Sequence, residues 1–130
     1  MLRRLLTFGL IGAVGFAVDG GLMMLFHKVL DVSVFAARPF SFLIAVTVTW
    51  WLNRSVTFYE IASLSRSSEW RRYVAVNTVG ALINLGAFYF SMLSLAALVE
   101  WPLVALAMGS LVAMFFNFWA SQRFAFTGTP

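Results

Sequence analysis

An all-α integral membrane bundle of four helices is the fold class this sequence predicts, and three observations predict it. The chain is 62% hydrophobic and only 11% charged over 130 residues, with a mean hydropathy of +0.89. A soluble domain carries about 25% charged residues, so the polar surface needed to face water is missing. Its apolar residues also gather into runs of roughly 20, each long enough to cross a hydrocarbon core of about 30 Å. Finally, these runs are continuous rather than alternating. A backbone in lipid must satisfy its own hydrogen bonds, which leaves helices or closed barrels, and continuous runs select helices. The length allows one domain.

Helix one is expected from about Leu5 to Phe26. The start Met1-Leu-Arg-Arg4 superficially looks like a signal peptide, but the apolar run is too long, and an equivalent segment recurs later. It is read as a retained helix. The turn His27 to Phe35 leads to helix two, about Ala36 to Leu52. Next comes the only sizeable polar stretch, Tyr59 to Glu69, with Ser63, Ser65, Arg66, Ser67 and Ser68, read as a loop outside the bilayer. Helix three spans about Tyr73 to Leu95 and helix four about Pro102 to Ala120, joined by the turn Ala97 to Trp101.

The charges give the orientation. Arg3 and Arg4 precede helix one, Arg54, Arg66, Arg71 and Arg72 flank the central loop, and Arg123 follows helix four. Lys28, Asp31, Glu100 and Arg38 fall towards the other side. The positive-inside bias therefore puts both termini and the central loop in the cytoplasm, in a multi-pass protein of the inner (cytoplasmic) membrane. The net charge of +4 does not imply nucleic acid, because the nine Lys and Arg residues sit between apolar runs, where they meet anionic headgroups. No cysteine is present, so disulfides and thiol chemistry are excluded, and the single His27 makes no metal site by itself.

The two halves repeat. A shift of about 68 positions overlays Arg3-Arg4 on Arg71-Arg72, Gly12-Ala13 on Gly80-Ala81, Ala45 on Ala113, Trp51 on Trp119 and Phe58 on Phe126. No gap is needed. Each half starts and ends on one side, so the bundle reads as two parallel-repeat helical hairpins. Repeat one covers about 1–58, the cytoplasmic loop 59–69 and repeat two about 70–126. Duplicated halves are common in transporters, with substrate at the repeat interface.

Asp19 is the sharpest chemical signal. It lies about 21 Å into helix one, where a carboxylate costs a few kcal/mol unless paired or hydrated. Arg38 lies about 22 Å above Asn53 on the antiparallel neighbour, at a similar depth. The two are expected to pair, or to share an aqueous pocket; the pair then serves a polar path or simply pins the hairpin. The second repeat has Ala87 and Leu106 in their places, while helix three carries Asn77 and Asn84. Asn84 either faces the same cavity as Asp19 or makes an interhelical hydrogen bond.

Each half closes on a similar motif, Thr49-Trp-Trp-Leu-Asn53-Arg54-Ser-Val-Thr-Phe58 and Asn117-Phe-Trp-Ala-Ser121-Gln122-Arg123-Phe-Ala-Phe126. Arginine at a helix C-terminus is favoured by the dipole and by anionic headgroups, and its planar donors suit a phosphate. Topology anchors with an aromatic belt explain the same residues, except Asn117 inside helix four, which an anchor does not need. Ser41 with Ala45, Gly109 with Ala113, and Gly9, Gly12, Gly15, Gly80 and Gly86 allow close helix approach within or between protomers. A homo-oligomer is expected from so thin a bundle. No nucleophile with a base, carboxylate pair, metal spacing or nucleotide loop is present, so neither an enzyme nor a cofactor is expected.

Arg4-Leu-Leu-Thr-Phe-Gly-Leu-Ile-Gly12-Ala, then Asp19, Asn53-Arg54-Ser-Val-Thr-Phe58 and the closing Asn117 to Phe126 together resemble the GtrA-like family of small four-helix membrane proteins. The resemblance covers almost the whole chain. It implies a role in cell-surface polysaccharide or glycolipid synthesis, moving a polyprenyl-phosphate-linked sugar such as undecaprenyl-phosphate glucose to the outer leaflet for a membrane glycosyltransferase. Ser121-Gln122 departs from the Asn-Arg expected of the family at that point. The leading expectation is thus a lipid-linked sugar flippase. Arg54 and Arg123, with Arg4 and Arg72, would receive the phosphate beside Asn53, while Asp19, Arg38, Asn84 and Asn117 line the polar path. Two other classes compete: a non-transporting anchor or accessory subunit for a glycosyltransferase, and a small-cation exporter using Asp19.

Overall fold

The computed structural model describes residues 1–95 and 102–128, and these form four long helices with no strand among them. The expected turn Ala97 to Trp101 lies outside the described residues. Helix α1 is Leu2–Lys28, with His27 and Lys28 in the last turn, where the helix dipole favours cations. The chain then reverses through Asp31 at φ 54°, left-handed geometry that aspartate tolerates better than most residues. Ser33 caps α2 (Val34–Leu52), its Oγ accepting from Ala36 N at 3.3 Å. Beyond Leu52 the helix widens into a π-helical turn, Asn53–Thr57, followed by a single 3-10 turn, Tyr59–Ile61. Helix α3 is Arg66–Ser94, and α4, Pro102–Ala120, ends in a second π-helical turn, Ser121–Ala125.

Three spans, Leu2–Lys28, Phe35–Thr57 and Arg66–Ser91, are long and apolar enough to cross a membrane. The 19 residues of α4 carry no charged side chain and extend about 28 Å, close to the hydrocarbon thickness. Two boundaries differ from the sequence expectation. Helix α1 starts at Leu2, with the Arg3-Arg4 pair already helical. The polar stretch is shorter, because Arg66–Glu69 forms the first turn of α3. Its polarity kept it out of the apolar run without preventing a helix, and Glu69 sits in that first turn, where the dipole favours an acid.

Helix α1 packs on α2 and α3 on α4, and the hairpins meet through α2 with α3 and α1 with α4. Small residues permit the closest approaches. A Cβ on Gly109 would lie 2.8 Å from the Asn84 carbonyl oxygen, and one on Gly15 would lie 2.5 Å from Thr49 Cγ2. A Cβ on Gly12 or Gly86, by contrast, would meet nothing within 4 Å among the described residues.

The buried core sits at one end of the bundle. Phe8, Phe58, Tyr73, Phe118 and Phe126 interlock there, with the Phe58 and Phe126 rings stacked at 4.7 Å and Phe8 edge-on to Phe118 at 5.6 Å. Such offset and edge-on pairs are favoured by the ring quadrupoles. The π turns aim both stacked rings inward, because each inserts one extra residue before its phenylalanine. Phe58 N donates to Asn53 O at 2.8 Å, and Phe126 N donates to Ser121 O at 2.9 Å. Both termini and the central segment join this end. The Thr57 and Thr7 hydroxyl oxygens lie 3.2 Å apart, Gly128 N donates to Ile61 O at 2.9 Å, and Arg4 pairs with Glu60.

Candidate functional site

Next to the aromatic core, a cavity of about 390 Å³ opens between the two hairpins, with residues of all four helices in its wall. Helix α1 contributes Gly12, Gly15 and Asp19, α2 and the π turn after it contribute Thr49 and Asn53, α3 contributes Tyr73, Asn77 and Asn84, and α4 contributes Ser110 and Asn117. Phe8 and Tyr73 belong both to this wall and to the buried aromatic cluster, so the cluster forms its floor. A collection of amides and hydroxyls in a bundle this apolar is costly unless each finds partners.

Most of them do. Arg38 Nη1 donates to Asp19 Oδ2 at 3.0 Å, and Ser41 Oγ donates to the other oxygen, Oδ1, at 2.6 Å. Asn53 Nδ2 donates to the Tyr73 hydroxyl at 2.9 Å, and its Oδ1 accepts from Thr57 Oγ1 at 2.8 Å. Asn77 Nδ2 donates to Tyr73 O at 2.9 Å, and Asn84 Nδ2 to Ser110 Oγ at 3.2 Å. Asn117 is the exception. Its Oδ1 is buried and has no hydrogen-bond partner among the described residues. Gly80 makes room for that amide, since a Cβ on Gly80 would collide with it.

Of the nine site residues the sequence singles out, Asp19, Asn53, Asn84 and Asn117 line the cavity, with Arg38 bonded to Asp19 at its wall. The other four do not line it. Arg54, expected to face a phosphate, is instead enclosed. Its Nη1 lies 2.6 Å from Glu69 Oε1 and its Nη2 donates to Ser63 O at 2.9 Å. Glu69 is fully buried and also accepts from Trp50 Nε1 at 2.9 Å and Ser63 N at 2.5 Å. The three donors compensate a charge that would otherwise be prohibitive there. Arg4 is held by Glu60, and that guanidinium, with the Tyr59 hydroxyl, keeps the Glu60 carboxyl below the ordinary carboxylate range. Arg123 is exposed and Arg72 borders a separate outer groove, and neither has an ion pair among the described residues.

Sequence reasoning missed Glu69, Trp50, Thr49, Tyr73 and Ser110. Glu69 was hidden because it falls in a stretch that reads as loop, and Thr49 and Ser110 because single hydroxyls are common in membrane helices. The facing of Ser110 towards Asn84 carries a sequence signal only once the α3–α4 register is known. Among the described residues no three His, Asp or Glu side chains converge as a metal site would require.

No curated protein matches the chain. The family model for the GtrA/DPMS transmembrane domain matches residues 7–127, from the second turn of α1 to just past the second π turn. That match takes in all four helices, the cavity they enclose and both aromatic closures, and the chain therefore belongs to the GtrA/DPMS transmembrane-domain family.

Proposed function

We propose that this protein moves a polyprenyl-phosphate-linked sugar across the cytoplasmic membrane, without making or breaking a bond in it. The family ties the chain to the membrane handling of such lipids. The observation that carries the reading is the single cavity in which Asp19, Thr49, Asn77, Asn84, Ser110 and Asn117 meet. A sugar offers hydroxyls that both donate and accept, and amides and hydroxyls complement them. The sugar and phosphate are what hydrocarbon resists, because each unsatisfied polar group there costs several kcal/mol, while the polyprenyl tail stays in lipid throughout.

In this reading the termini and the central segment lie in the cytoplasm, where their arginines meet the phosphate and the anionic headgroups. The cargo passes on the outer side to a membrane glycosyltransferase, and the carrier works as a homo-oligomer. Cation export through Asp19 is disfavoured, because Arg38 and Ser41 already bond both carboxylate oxygens.

The test is reconstitution into vesicles with a labelled polyprenyl-phosphate sugar. Asn117→Leu removes the cavity amide whose buried oxygen has no partner among the described residues, and the transbilayer rate is expected to fall about ten-fold, one hydrogen bond's worth. A rate equal to wild type in that variant and in Asn84→Leu leaves a membrane anchor as the better reading.

A further inference from the structure

A second cavity, of about 280 Å³, lies on the outer face of the α3–α4 hairpin and shares no lining residue with the central one. Its floor is apolar, made by Val76, Val79, Phe116 and Phe124, and one cationic residue, Arg72, stands at its edge. Arg72 Nε is buried without a hydrogen-bond partner, and no ion pair reaches its guanidinium among the described residues. Both described glutamates are committed elsewhere, Glu60 to Arg4 and Glu69 to Arg54.

The repeat accounts for Arg72 having no acidic partner among the described residues. The shift that overlays Arg4 on Arg72 carries Glu60, the partner of Arg4, onto Gly128. Repeat two thus keeps the arginine and lacks the acid that neutralises its counterpart. Depth supplies the other half of the argument. Arg72 adjoins Tyr73, which bonds Asn53 just past the end of α2, so it stands at the level where the spans leave the hydrocarbon. From Arg72 to Val79 the groove runs about 10 Å along α3 towards the membrane interior. Such a groove suits an anion at its rim with an attached hydrocarbon chain along its floor.

We infer that this groove binds an anionic glycerophospholipid of the surrounding bilayer, its phosphate on Arg72 and an acyl chain against Val79 and Phe116. The lipid is a resident partner rather than cargo, since the groove and the central cavity have no wall in common. This inference stands apart from the transport reading and is tested by binding alone.

The full-length protein, relipidated in detergent with equal phosphatidylglycerol and phosphatidylcholine, is analysed by native mass spectrometry. Wild type retains phosphatidylglycerol preferentially. Arg72→Gln lowers that retention about five-fold, the effect of one arginine at an anionic surface, whereas Arg71→Gln, at an exposed neighbour, leaves more of it than Arg72→Gln does. Val79→Phe fills the floor without changing charge and also lowers retention. The inference is overturned if Arg72→Gln retains as much as wild type, if Val79→Phe has no effect, or if undecaprenyl phosphate displaces phosphatidylglycerol at equal concentration. That last result would assign the groove to the polyprenyl carrier.

Discussion

Gly80 shows how closely one residue's chemistry governs the cavity. Its missing side chain is the space that the Asn117 amide fills, so the two positions are coupled although they lie on different helices. Gly80→Ala is expected to destabilise the bundle by about 1–3 kcal/mol, as overpacking does. In an Asn117→Ala background the collision is gone, and the same change is expected to stabilise by up to about 1 kcal/mol through helix propensity. Unfolding in detergent, measured across the four combinations, checks the reversal of sign; equal effects in both backgrounds would mean that the amide does not occupy that space. At this scale the sequence was informative where depth alone decides a partner. Asp19 and Arg38 meet because helix rise puts them level on adjacent antiparallel helices. It was silent where the partner comes from across the bundle. Nothing local to Glu69 says that Trp50, Arg54 and Ser63 surround it, and nothing local to Arg54 says that its guanidinium is already paired.

The elements owe their arrangement to the two π turns and to what ties their ends together. The number and order of the helices and the matched closing motifs were legible, since apolar runs and a constant spacing are properties of the chain itself. The π turns were not, because an extra residue in a helical turn leaves no hydrophobic period to read. Their consequence is that α2 and α4 end under the bundle, with the Phe58 and Phe126 rings stacked between the hairpins. Helix α1 is fastened to the segment after the first π turn by Arg4 and Glu60. The Glu60 carboxyl is held below its ordinary value chiefly by the Arg4 hydrogen bond, so the folded state binds that proton less readily than the unfolded chain. The stabilisation is therefore present above the ordinary carboxylate pKa, about 4.3 for glutamate, and is lost as pH falls through the lower folded value. Thermal unfolding of wild type and Arg4→Gln is expected to show a small, constant difference near neutral pH that closes only in acid. A difference that persisted in acid would assign the effect of Arg4 to packing instead. The exposure of both groups keeps it small.

The molecule as a whole is asymmetric along its axis. At the end that gathers both termini, Phe58, Tyr73, Phe126, Asn53 and Ser121 are all but inaccessible. Beyond that floor, Asn84 and Ser110 bond across the α3–α4 interface at the cavity wall, and Ser110 is exposed. In the transport reading, the cavity is floored on the side of the termini and reached from the side away from them, so access to it should be one-sided. The chain contains no cysteine, so a single introduced thiol reports its own position. With the termini in the cytoplasm, Ser110→Cys is expected to react in intact cells with a membrane-impermeant maleimide added outside. Ser121→Cys should stay unreactive until the protein is unfolded. Ser65→Cys, exposed at the end with the termini, should react only after permeabilisation and so fixes the orientation separately. Labelling of Ser110→Cys solely after permeabilisation, with Ser65→Cys behaving as expected, would mean that the aromatic floor does not bar access and that the cavity is reached from the cytoplasm.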